Sequence, residues 1–200
     1  MNNDTIKEEF LEALQRLYKD DYYLIRQNCC ERSIVFRLGV CLNNILKNPD
    51  YDVDCEYNRI GKKPKSLIGR RLNYPDIIVH KRGDDRNNAL VVEVKTPKDS
   101  NRKHLNNDKI KLEGFTSKSS YEYTYGAHVY IAATSCSVVW YEHGTIKTFC
   151  KYKVVKNKDT SERGICALQE LSQHDSWKRT AFDKWYLREQ GQKLTICSQD

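Results

Sequence analysis

The run Ala89-Leu90-Val91-Val92-Glu93-Val94-Lys95 constrains this chain more than any other segment. Val91 and Val92 make both faces of an extended strand apolar, the pattern of a strand covered on both sides in the middle of a sheet. A second β-branched run, Asp76-Ile77-Ile78-Val79-His80, precedes it across the turn-like Gly83-Asp84-Asp85, so the two read as a hairpin. Folding about residue 85 puts Asp76 opposite residue 94. Side chains alternate along a strand, so Glu93 and Lys95 share one face, and a modest register shift brings Asp76 to them. Charges at the end of a buried strand need a partner or a metal.

Two carboxylates and an amine converging in this way suit a hard divalent cation. Mg²⁺ takes oxygen ligands, commonly one or two protein carboxylates with waters and substrate phosphate. Asp76 and Glu93 fit that role, the main-chain carbonyl of Val94 is a further candidate ligand, and Mn²⁺ is expected to substitute for Mg²⁺. Lys95 cannot ligate while protonated; its expected task is to hold the attacking water or hydroxide and offset charge on the phosphate. The competing reading is a cross-strand salt bridge on a solvated face, which the doubly apolar strand disfavours.

Through Pro75-Asp76 and Glu93-Val94-Lys95 the chain resembles the PD-(D/E)xK nuclease superfamily over roughly residues 28 to 135. The resemblance implies an α/β fold with a restriction-endonuclease-like core, a mixed central sheet flanked by helices. It implies a metal-dependent nuclease, DNA being the more expected substrate than RNA. It also implies an acidic residue on an early helix that supports the metal, here Glu31, and a helix after the lysine strand, whose polar motif is matched by Asp108-Lys109-Ile110-Lys111-Leu112. A module on the same fold that binds nucleic acid or protein without cleaving is the alternative.

The remaining pattern frames this centre. Thr5-x-x-Glu8 followed by Phe10, Leu11, Leu14 and Leu17 predicts a helix over roughly 5 to 18. A second helix begins near Asn28, carries Ile34, Val35, Leu38, Leu42 and Ile45, and stops before Asn48-Pro49. Glu31 lies along its apolar stripe, although Asn28-x-x-Glu31 is also a capping-box spacing that would tie Glu31 to the backbone. Val53, Cys55 and Tyr57 alternate as a strand beside the hairpin, with Glu56 a lesser metal candidate. A helix over about 104 to 116 has Ile110 and Leu112 inward, and Lys111 is a candidate phosphate contact. Further strands are expected over 127–133, 137–141 and 145–152, the last two turning at His143-Gly144. Ile165, Leu168 and Leu171 suggest a helix, as do Trp177, Ala181 and Trp185, so residues 1–155 read as the core and 156–200 as a helical extension packed on it; the final residues read as frayed or as a short edge strand.

Charge points to the substrate. Arg59, Lys62, Lys63, Lys65, Arg70 and Arg71 occur without an intervening acid on a segment containing Gly61, Pro64 and Gly69, a loop suited to a polyphosphate backbone. The net charge of +7 over 200 residues agrees. A homodimer or larger complex is compatible with the extension. The polar, acidic N-terminus and the absence of a long apolar run argue against a membrane partner and for a cytoplasmic protein. The eight cysteines form no C-x-x-C and read as reduced thiols, not as zinc ligands.

Overall fold

A computed structural model describes residues 4–60, 63–64, 74–118, 121–156, 166–172, 176, 178–189 and 195–196. Its centre is the hairpin of β4 (Ile77–Lys81) and β5 (Asp84–Lys95). β1 (Asp52–Cys55) pairs antiparallel with the outer edge of β4, beside the hairpin as expected, but it ends at Cys55 and leaves Tyr57 outside the strand. On its other side β5 pairs in parallel with β6 (Tyr125–Ile131). A parallel neighbour needs a crossover, and α4 (Arg102–Thr116) supplies it. The sheet continues antiparallel through β7 (Ser135–Glu142) and β8 (Thr145–Lys156). The outer edge of β8 is shared by β10 (Thr195–Ile196), parallel, and β9 (Cys166–Glu170), antiparallel. The sheet is therefore mixed and flanked by α-helices.

Alternation along the strands sorts the core into two layers. Ile77, Val79, Leu90, Val92, Val94 and Val129 face α1 (Asp4–Asp20) and α3 (Glu31–Ile45), meeting Phe10, Leu14, Ile34 and Leu38. Ile78, Val91, Tyr130, Val139 and Phe149 face α4 and α5 (Ala181–Glu189), meeting Leu105, Leu112, Phe182 and Tyr186. α4 lies close on β6 because residue 126 has no side chain: a Cβ there would come within 3.0 Å of Thr116 and 3.1 Å of Tyr141. The β7–β8 turn uses His143 (φ 51) and Gly144 (φ 74), the positive-φ pair that a two-residue hairpin requires.

Several expectations need correction. Ile77 pairs with Val92, so Asp76 lies in line with Glu93 and not with residue 94; irregularities on both sides of His80 absorb the difference. A short helix, α2 (Tyr22–Arg26), intervenes after α1, and α3 starts at Glu31 with Cys30 as its N-cap and no side-chain capping bond, so the Asn28 capping box is absent. Ile110 is exposed while Leu112 is buried, since residues two apart on a helix point to opposite sides. Leu168 belongs to β9, paired with Val154, and not to a helix; Ile165 and Trp177 lie outside the described residues. Cys29, Cys30, Cys41, Cys55 and Cys136 are free thiols, but Cys150 is disulfide-bonded, so the reading of every cysteine as a reduced thiol fails there. No helix among the described residues is long and apolar enough to cross a membrane.

Candidate active site

The strand ends of the central hairpin hold the charged cluster. β4 begins only at Ile77, after Pro75, which has no N–H to donate to a ladder. Asp76 takes over the missing rung with its side chain: Oδ2 accepts from the Val94 N–H at 2.6 Å, while its own carbonyl accepts from the Glu56 N–H at 3.2 Å. Glu93 and Lys95 then stand on the face that carries Ile78 and Val91, toward α4.

Lys95 is the hub. Its Nζ donates to the Val94 carbonyl at 2.8 Å and to Glu31 Oε1 at 3.1 Å, and stands 3.1 Å from Asp108 Oδ2. Glu31 comes from the first turn of α3 and Asp108 from α4, so Lys95 ties the two helical layers together at the end of β5. A second ammonium, Lys111, one turn beyond Asp108, donates to Glu93 Oε2 at 2.8 Å and lies 3.2 Å from Asp108 Oδ1. Its place is thus inside the cluster, against carboxylates. Two buried carboxylate oxygens, Glu31 Oε2 and Glu93 Oε1, have no hydrogen-bond partner.

The electrostatics are those of a cluster with too little positive charge. Burial, reinforced by Asp76 and Asp108 and only partly relieved by Lys111, holds the Glu93 carboxyl well above the usual range. Burial also raises Asp76 against the Val94 N–H and both lysines, and raises Glu31 against Lys95. Burial opposes the charged form of Lys95 and Lys111, yet the surrounding carboxylates outweigh it and hold both ammoniums above their ordinary value. Glu31, Asp76, Glu93 and Asp108 therefore face two ammoniums, a deficit of two positive charges if all four ionise.

Behind the cluster, His128 on β6 stands opposite Glu93 in the register. It is fully buried, with Nε2 3.7 Å from Asp108 Oδ2 and Nδ1 bonded to the Tyr186 hydroxyl, which in turn meets the Tyr141 hydroxyl at 2.7 Å. Burial, with Lys95 and Lys111 nearby, lowers its pKa to about 3 despite Asp108, so the ring is neutral. The folded protein thus refuses a proton that the unfolded chain accepts below about 6.5, and stability is full above that pH and lost as pH falls toward 3. Replacing His128→Gln is expected to flatten urea-derived stability between pH 6.5 and 4.5 relative to the parent, by up to roughly 1.4 kcal/mol per pH unit. Parallel pH profiles for the two proteins would remove His128 as the acid-sensitive group.

Of the residues singled out by sequence, Asp76, Glu93, Lys95, Glu31 and the Val94 carbonyl are thus brought together. Glu56 is exposed, 3.3 Å from Arg32, on the rim of a cleft of about 450 Å³ bordered by Glu31, Phe36, Cys55 and Asp76. Arg59 lies on β2 (Arg59–Ile60), paired with β3 (Lys63–Pro64). Lys62, Lys65, Arg70 and Arg71 lie outside the described residues, as does the side chain of Lys63. Asp108's contact with Lys95 and the presence of His128 were not anticipated; the parallel β5–β6 pairing that aligns His128 with Glu93 was the signal to follow.

Among the described residues, no three His, Cys, Asp or Glu side chains are grouped so that they could hold a metal ion as they stand. The Lys95 ammonium lies against oxygens that a cation would use, Val94 O and Glu31 Oε1. Comparison with known proteins finds no family model, no curated protein and no solved structure that matches the chain.

Proposed function

We propose that this protein is a Mg²⁺-dependent nuclease of the PD-(D/E)xK type, hydrolysing DNA phosphodiester bonds at Asp76, Glu93 and Lys95. The observation that carries the reading is four carboxyl groups gathered around only two ammoniums, with Glu31 Oε2 and Glu93 Oε1 buried and unpartnered and burial holding Glu93 well above its usual range. Buried like charges gathered without compensation are costly, and a divalent cation supplies the missing charge. Asp76, Glu93 and the Val94 carbonyl would hold it, with Glu31 in support; Lys95 then has to leave Val94 O. Bound there, a hard cation would polarise a phosphoryl oxygen and acidify a water. The protein's own part is to keep Lys95 protonated through its carboxylate neighbours and to aim it at the developing charge. Asp108 keeps Lys95 and Lys111 in place from the α4 side.

Two tests bear on this reading. Supercoiled, linear and single-stranded DNA and RNA are incubated with Mg²⁺ or Mn²⁺; cleavage dependent on the metal and absent from D76N is expected, and its absence on every substrate returns the chain to the non-cleaving alternative. Independently of activity, Mn²⁺ titration followed by electron paramagnetic resonance is expected to show stoichiometric binding that D76N and E93Q each weaken by at least about tenfold, since each removes one anionic ligand. Unchanged Mn²⁺ affinity in both variants would refute the metal site.

A further inference from the structure

A second concave surface lies away from the carboxylates, in the groove between α4 and α5. It encloses about 300 Å³ and is lined by Ser100, Arg102, Leu105, Lys184, Trp185 and Arg188, with no acidic residue in its wall. Arg102, Lys184 and Arg188 are exposed, while Trp185 is 9% exposed and forms the apolar floor with Leu105. The flanks continue the charge: Lys103, Lys178 and Arg179 are all exposed. Of the acids with described side chains on α4 and α5, Asp108 faces Lys95 and Lys111, Glu113 pairs with Lys109, and Asp183 is fully buried against Lys151. The groove wall is therefore positive, and its floor includes an aromatic ring.

We infer that the α4–α5 groove binds the phosphate backbone of a nucleic acid strand. Lys184 and Arg188 are one turn apart on α5, about 6 Å along the axis, a spacing that lets each take a successive phosphate. Arg102 faces them from α4, and exposed guanidinium groups suit bidentate contact with phosphate. The groove also adjoins the candidate centre: Leu105 in its wall and Asp108 beside Lys95 are three residues apart on one face of α4, and Tyr186, next to Trp185, reaches His128. The surface was not legible as a unit, because its cations come from segments more than 80 residues apart, Arg102 against Lys184 and Arg188, in a chain rich in lysine and arginine.

The choice of ligand for the groove rests on the nuclease reading, and the test separates the two. Fluorescence anisotropy of labelled single-stranded and duplex DNA and of RNA is measured in EDTA with the full chain, across a salt series, for the parent and for R102Q/K184Q/R188Q. Expected is at least about tenfold weaker binding at ~0.1 M salt, with the slope of log affinity against log salt smaller by roughly 2 to 3, about 0.9 for each duplex phosphate that is no longer neutralised. K184E/R188E, which leaves α4 untouched, should weaken binding further. Parent-like affinity and slope in both variants, with melting temperatures unchanged, would overturn the groove even if cleavage is found. A reduced slope in a protein that never cleaves keeps the groove and defeats the nuclease reading. Equal binding to polyglutamate or to phosphatidylserine vesicles, abolished in the same variants, would overturn a nucleic acid as its specific ligand.

Discussion

Replacing Lys95→Met is expected to lower the single-turnover cleavage rate roughly a hundred- to a thousandfold while leaving substrate binding within a few-fold of the parent. Lys95 is 6% exposed and held by Val94 O, Glu31 and Asp108, so it contributes little to the surface that first meets a nucleic acid. Its charge matters where new negative charge develops, which is the condition for affecting rate more than affinity. The same substitution leaves Glu31 and Asp108 facing each other with one cation fewer, so the melting temperature is measured alongside and Lys95→Arg is made as the charge-keeping control. Arginine retains the charge but offers a planar fork to a site shaped for an ammonium, so partial activity is expected from it. A rate loss matched by an equal loss of binding would assign Lys95 to substrate capture.

How much of this centre could be read from sequence follows from what is local. The hairpin was legible because two β-branched runs flank a glycine turn, and the doubly apolar centre of β5 required burial on both faces. Alternation alone then put Glu93 and Lys95 on one side. The register was misplaced by one residue because a single pivot at residue 85 ignores the irregularities around His80, which no pattern in the sequence marks. Glu31 was recoverable from its place ahead of Ile34, Val35 and Leu38 on one helical stripe.

What escaped depends on contacts between distant segments. Apolar residues at 165, 168 and 171 carry a helical period, yet the free edge of β8 offers unpaired backbone groups that β9 satisfies as a strand. Tertiary opportunity overrode spacing there. Asp108 was noticed only as part of a polar motif; its contact with Lys95 exists because α4 crosses back over the end of β5. Lys151 and Asp183 gave no signal at all, since a lysine in a strand and an aspartate in a helix are by default solvated.

That last pair carries the largest expected effect on stability. Lys151 on β8 and Asp183 on α5 are 1% and 0% exposed, with Nζ 2.8 Å from Oδ2. Ser137 completes the arrangement, accepting from Lys151 at 2.9 Å and donating to Asp183 Oδ1 at 2.7 Å. Asp183 Oδ2 also accepts from the Thr180 N–H at 2.7 Å, and Thr180 Oγ1 accepts from the Asp183 N–H at 3.1 Å, a reciprocal cap on the first turn of α5. Asp183→Ala strands an ammonium in the core and removes the cap, so about 3–5 kcal/mol of stability should be lost, with about 1 kcal/mol more from the cap. The paired replacement Lys151→Met with Asp183→Leu removes both charges together and should cost clearly less than Asp183→Ala, because no buried charge is left alone. Urea unfolding of the single and double variants measures the difference. A paired variant that costs as much as Asp183→Ala would mean that the stranded charge is not what destabilises the single variant and that α5 is held chiefly by Phe182, Trp185 and Tyr186. If the coupling is present, Asp183→Ala should also weaken nucleic-acid binding through Lys184 and Arg188, since both stand on the helix that this pair fastens to the sheet.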